Sequence, residues 1–120
     1  MGRPSGKPHP HLAKLRKLVA SLPEGVEVEA WQHPTFRAGK RMFAGYGGYQ
    51  DFPTISIKQT LPDQSVLVED PRFHLPKYVA KQGWVALDCT RVPWSMVEDL
   101  ALRGYRLVAL KRMLKVLDSK

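Results

Sequence analysis

Residues 25–58 hold four short runs of strand-forming residues, and the links between them are too short for a helical crossover. Val26-Glu27-Val28-Glu29-Ala30-Trp31 alternates apolar and acidic side chains, the pattern of a half-buried strand. Residues 35–37 and 41–46 flank Ala38-Gly39-Lys40, which punctuates a hairpin. Residues 53–58, through Thr54-Ile55-Ser56-Ile57, are β-branched and alternating. Local hairpins without βαβ alternation predict an antiparallel α+β domain.

Helical patterns flank this block. Pro10 suits a first helical turn, and Leu12, Leu15, Val19 and Leu22 follow at helical spacing until Leu22-Pro23-Glu24-Gly25 ends the run. Pro34 is placed in a turn or at an edge. Gly45, Gly47 and Gly48, with Tyr46 and Tyr49, read as a loop. Leu61-Pro62-Asp63 starts a short helix over residues 64–69, and the prolines of residues 70–76 make a loop. Residues 78–81 and 84–88 read as strands around Gln82-Gly83, a second hairpin. Pro93 and Trp94 open a helix. On one continuous helix Arg103 would fall within the stripe of Leu100, Leu107, Leu110 and Leu114. A break at Gly104 and a second helix over residues 105–117 are therefore expected.

A chain of 120 residues, 43% hydrophobic and 25% charged, is one domain with its own core. Residues 1–8 are expected to be disordered and residues 9–120 to form that domain. The single cysteine, Cys89, excludes an internal disulfide or a paired-cysteine zinc site and reads as a small core residue. With no apolar leader and no run near ~20 apolar residues, the expected location is cytoplasmic and no membrane partner is expected.

The formal charge of +8 is distributed unevenly. Residues 1–17 hold five bases and no acid, and residues 103–120 six bases against Asp118. The middle holds eight bases and ten acids. Basic ends suit a polyanion, and equally a solvated helix face. Arg37, Lys40 and Arg41 on the first hairpin, Lys77 and Lys81 on the second, and Lys14 and Lys17 on the first helix are the candidate phosphate contacts. Tyr46 and Tyr49 could stack on unpaired bases. Lys40 could instead pin its hairpin by pairing with Glu27, Glu29 or Asp51. His9, His11, His33 and His74 lack metal-ligand spacing, and His33 is expected to hydrogen-bond its turn. Trp31, Trp84 and Trp94 read as core anchors. No carboxylate pair, phosphate loop or serine motif is legible, so no catalytic residue, metal or cofactor is expected.

The ordered set of residues resembles the MmcQ/YjbR family. The match consists of Leu22-Pro23, Glu29, Trp31, His33-Pro34-Thr35-Phe36-Arg37, Gly39-Lys40 and Met42-Phe43-Ala44. It continues with Ile57-Lys58, Phe73, Pro76, Tyr78, Gly83-Trp84-Val85, Trp94 and Tyr105-Arg106-Leu107-Val108. Gln32 stands where the family usually has glycine, and Gly104 where it usually has serine. The resemblance implies a twisted antiparallel sheet with helices on one face and hairpin wings (a double-wing, CyaY-like fold), together with a DNA-binding role. It assigns Trp31, His33, Pro34, Phe36, Phe43, Tyr78, Trp84 and Tyr105 to the scaffold. The reading is a non-catalytic nucleic-acid-binding domain. Two alternatives stand beside it: a small-anion-binding domain or enzyme with a cleft near Lys58, Arg72 and His74, and a protein-interaction domain.

Overall fold

The computed structural model describes residues 8–49 and 52–119. Of the segment expected to be disordered, all but Pro8 lies outside these residues. Helix α1 (Pro10–Ala20) is followed by strands β1 (Gly25–Ala30), β2 (His33–Ala38), β3 (Arg41–Tyr49) and β4 (Phe52–Ile57). Helix α2 (Leu61–Leu67), strands β5 (Phe73–His74) and β6 (Val85–Asp88), and helices α3 (Trp94–Val108) and α4 (Lys111–Asp118) complete the order. The six strands form one sheet, β1-β2-β3-β4-β6-β5, with every pairing antiparallel. The fold is the expected α+β single domain.

Strand alternation separates the two faces of the sheet. Phe36, Ala44, Ile55 and Ile57 are in register across β2, β3 and β4 and are fully buried beneath the helices. A β-bulge adds to this layer. Phe36 pairs with Ala44 and Arg37 with Met42, so Phe43 is the extra residue and is buried next to Ala44. Its ring meets Tyr105 of α3 edge-on at 5.7 Å. The Tyr105 hydroxyl donates to the Pro23 carbonyl at 2.7 Å, tying α3 to the end of α1. Leu12, Leu15 and Val19 of α1 and Met113 of α4 close the core.

The histidines near the start are structural parts of this layer, not members of a loose end. His9 caps α1 by accepting from the His11 amide, and the half-buried His9 amide donates to the Tyr46 hydroxyl at 2.9 Å. His11 is buried, its Nε2 lying 2.7 Å from the Val92 carbonyl oxygen.

Four expectations need correction. The glycine-rich residues 45–49 are strand, because β3 pairs with β2 on one side and β4 on the other. Tertiary pairing there overrides weak local propensity. Pro34 lies inside β2 opposite Glu29, and the turn falls at Trp31-Gln32 instead.

The second hairpin does not form. Both edges of β6 are taken, by β4 and β5, and residues 78–81 turn away at Tyr78 (φ +70°) into a short 3-10 turn, Ala80–Gln82. The Gln64 amide fastens this segment by donating to the Ala80 and Trp84 carbonyls, each at 2.8 Å. Gly83 ends the turn at φ +94°, and a Cβ there would lie 2.2 Å from the Gln59 carbonyl oxygen.

Helix α3 also runs unbroken through Gly104 to Val108, and the break comes at Ala109-Leu110, both extended. The buried stripe is Val97, Leu100, Ala101, Gly104, Tyr105 and Val108, which leaves Arg103 in solvent beside Asp99. Gly104 sits at the centre of that stripe because its missing side chain lets α3 approach β4. A Cβ there would lie 2.8 Å from the Lys58 carbonyl oxygen. Leu107 and Leu110, assigned to the core from spacing, are exposed.

Candidate nucleic-acid interface

Lys40 and Arg41 occupy the β2–β3 turn and are exposed. Gly39 enables the turn with φ +62°, and its amide donates to the Glu24 carbonyl at 2.8 Å. The same Glu24 takes a two-pronged ion pair from Arg112 of α4, both bonds 2.8 Å, which holds its carboxyl below the usual range. A Cβ on Gly39 would lie 2.9 Å from the Met113 methyl carbon. The turn is thus seated on α4, and two segments far apart in sequence form one basic end of the molecule. Lys111 and Lys115 of α4 are exposed there too. Among the described residues, Lys40, Arg41, Lys111 and Lys115 make no ion pair. Glu27, one expected partner of Lys40, binds Arg16 instead, and Asp51 lies outside the described residues.

The other candidates are dispersed. Lys14 and Lys17 are exposed on α1, in the helical layer. Lys77 and Lys81 are exposed on the β5–β6 connection, at the opposite edge of the sheet from β1. Arg37 is partly buried between Val26 and Met42 in register, and its Nε is buried without a hydrogen-bond partner.

Across the sheet from the helices, the other face carries no helix of its own over its centre but is walled by the β5–β6 connection, and it holds a groove of about 420 Å³. Its floor is built from the alternate positions of four strands: Thr35, Gly45, Gly47, Ser56, Thr54 and Ala86. At Gly45 a Cβ would meet only the Pro34 carbonyl oxygen, at 3.6 Å, so that part of the floor is bare backbone. At Gly47 the imidazole of His33 leans over the floor, 3.2 Å from where a Cβ would sit. His33 is exposed and makes no hydrogen bond to its turn, contrary to expectation. One wall carries Trp31 and Met42, and the other His74, Lys77, Val79 and Trp84. Among the described residues no carboxylate lines it.

Two scaffold assignments fail at this groove. Trp31 is 80% exposed at φ +51°, and Tyr78, between wall residues Lys77 and Val79, is 95% exposed at φ +70°. Neither is a core anchor. Phe36, Phe43, Trp84 and Tyr105 are buried, and Trp94 packs half-buried against the core. Tyr46, also in the groove lining, accepts a hydrogen bond from the His9 amide and packs partly buried against the core. The side chain of Tyr49 lies outside the described residues.

The small-anion cleft is not assembled. The Lys58 ammonium donates to the Gln82 carbonyl at 3.0 Å, and Arg72 is clamped onto Asp70 at 2.8 Å. Of that trio only His74 reaches the groove, where burial lowers its pKa against a smaller upward pull from Asp88. Burial pushes the Cys89 thiol up to about 12, so it stays protonated. Among the described residues no cluster of three metal-ligating side chains exists.

Sequence reasoning missed the groove, and it pointed to the basic terminal helices without singling out the lysines of α4. The only local signal for the groove was Gly45 and Gly47 at strand spacing, which also punctuates a loop. Lys111 and Lys115 stood in the basic C-terminal stretch, but nothing in sequence joined them to Lys40.

An antiparallel sheet with helices on one face and a grooved second face defines a two-layer α+β domain. The YjbR family model matches residues 20–107, and the chain belongs to that family. It is similar in fold to a Deinococcus radiodurans protein with a DUF419 domain, at TM-score 0.72 and 22% identity, covering 89% of this chain and 87% of that one. A Pseudomonas syringae protein is similar at TM-score 0.66 and 12% identity, covering 79% of this chain and 96% of that one. No curated protein matches the chain.

Proposed function

We propose that this protein is a non-catalytic nucleic-acid-binding domain, with DNA as the first candidate. On this reading the basic end formed by the β2–β3 turn and α4 contacts backbone phosphates. The observation that carries it is the seating of that turn on α4, which brings Lys40 and Arg41 near the helix that carries Lys111 and Lys115, with no acid paired to any of them among the described residues. Elsewhere arginines are spent on carboxylates: Arg16 on Glu27, Arg72 on Asp70, Arg106 on Asp118. Unpaired cations on a rigid turn can release counterions from phosphates without first breaking a salt bridge. A cytoplasmic location accompanies this reading and suits the buried, unpaired Cys89.

Fluorescence anisotropy with labelled DNA across a salt series tests it. Each phosphate contact adds about 0.9 to the slope of log affinity against log salt on duplex DNA. The double variant Lys40→Glu/Arg41→Glu is expected to lower that slope by roughly two and to weaken binding regardless of base sequence. No binding at micromolar protein and roughly 50 mM salt, or an unchanged slope in the variant, refutes the assignment.

A further inference from the structure

We propose that the groove on the sheet face opposite the helices receives unpaired bases, so that the preferred partner is a single-stranded nucleic acid rather than a duplex. This rests on the nucleic-acid reading above and names the form of the polymer it takes.

Three observations converge on this partner. The first concerns the aromatics. Trp31 and Tyr78 are the two most exposed aromatic side chains described, and each backbone is at positive φ; Trp31 lines the groove, while Tyr78 stands outside its lining between the wall residues Lys77 and Val79. For a bulky residue that conformation costs free energy, and neither side chain recovers it by burial. An indole and a phenol standing clear of a sheet rim offer flat faces, and bases stack on such faces only when they are unpaired.

The second concerns the floor. Gly45, Gly47, Ser56 and Ala86 keep it low across adjacent strands, leaving about 420 Å³, the scale of a small-ligand site. Planar rings can lie close to such a surface. The third is charge. The groove has Lys77 on one wall and, among the described residues, no carboxylate, and Met42 on the other wall adjoins Arg41 of the basic end. A strand whose phosphates lie along that end can therefore turn its bases onto the sheet without meeting a like charge. A protein partner of apolar character would not call on this cation-edged, acid-free lining. Free nucleotides share the ring chemistry but not the reach from Arg41 to Lys77.

The test uses an oligothymidylate of about 12 nucleotides and a hairpin duplex of comparable charge, with anisotropy and tryptophan emission as readouts. The single strand is expected to bind more tightly than the duplex and to quench the exposed Trp31. Trp31→Ala is expected to abolish the quench and to weaken single-strand binding by about 5- to 150-fold, the worth of one stacked base, while duplex binding stays within twofold. Gly45→Val fills the floor where a Cβ has room, and is expected to weaken single-strand binding with the fold retained by circular dichroism. If both variants bind the single strand within twofold of the parent, the groove assignment is overturned. It is also overturned if thymidine monophosphate binds as tightly as the oligomer, or if the duplex binds and the single strand binds no better. If neither polymer binds, the nucleic-acid reading itself fails and takes this one with it.

Discussion

Replacing Gln32 with glycine should stabilise the protein, against the usual direction of a glycine substitution. The β1–β2 connection is the pair Trp31-Gln32, with φ of +51° and +67°. Positive φ at both central residues is the geometry that two-residue hairpins normally reserve for Asn-Gly. Holding an L-residue in that left-handed region costs about 1–2 kcal/mol, because Cβ crowds the following carbonyl. Glycine removes the crowding. Its greater freedom in the unfolded chain takes back about 0.4–1 kcal/mol. The Gln32 side chain is exposed and makes no hydrogen bond among the described residues, so its loss subtracts nothing. The net gain is about 0.5–1 kcal/mol, which for a domain of this size raises Tm by roughly 2–4 °C. Thermal unfolding followed by circular dichroism measures it, and the urea midpoint should rise at constant m-value. Gln32→Ala is the control, since alanine keeps Cβ and should leave Tm unchanged to within about 2 °C. A Tm that falls in Gln32→Gly, or rises equally in Gln32→Ala, would refute the claim that the strain resides in this backbone.

Two further outcomes follow from contacts at other positions. Gly104→Ala, conservative on an ordinary helix, should destabilise by about 1–3 kcal/mol, because its Cβ would sit 2.8 Å from the Lys58 carbonyl oxygen and 3.0 Å from an Ile57 methyl carbon. Denaturant titration measures this, and a stability equal to or above the parent's would contradict the close packing of α3 on β4. The hydrogen bonds and charge of Arg72 hold the Asp70 carboxyl at about 2, so its carboxylate is favoured in the folded state. The corresponding stabilisation is present above the ordinary carboxylate range and is lost as pH falls from about 4 towards 2. A carboxyl carbon titration by NMR should place Asp70 below the other aspartates, and Arg72→Ala should raise it part of the way to their range, because the residue 72 backbone amide still donates to it.

Why some of this was legible in sequence and some was not comes down to what the signals encode. Gly39-Lys40 between short apolar runs specified a turn, and the alternation of residues 26–31 specified a strand, because both are local. Those local signals delivered the first hairpin, the antiparallel sheet and the core positions Leu12, Leu15, Val19, Phe36 and Phe43. Glycine misled at Gly104 and over residues 45–48, in each case because a missing side chain serves packing or pairing as readily as a break. Size misled at Trp31, and the family resemblance at Tyr78. Large aromatics are usually buried, and nothing local showed that a left-handed backbone would turn these two outward.

The groove was invisible for a related reason. Its floor is made of side chains that are small or absent, and it exists only because the register brings Thr35 and Ser56 opposite Gly45, and Thr54 opposite Gly47. A one-residue slip of β4 would put Ile55 on that face and fill it. The same register that buries Ile55 and Ile57 under the helices therefore empties the opposite face. A chain of this size could have covered that face with another helix, or at least carried large side chains on it. Here an exposed aromatic, Trp31, is instead at the rim, on backbone that resists holding it, while the floor beside it carries only small side chains. Stability alone favours neither choice: it would set glycine at Gln32 and withdraw Trp31 from solvent. The strain at the rim and the emptiness of the floor make sense together if a flat partner fills the space between them. For that reason the decisive variants are the ones that fill or flatten the groove, Gly45→Val and Trp31→Ala, more than those that strip charge from its surroundings.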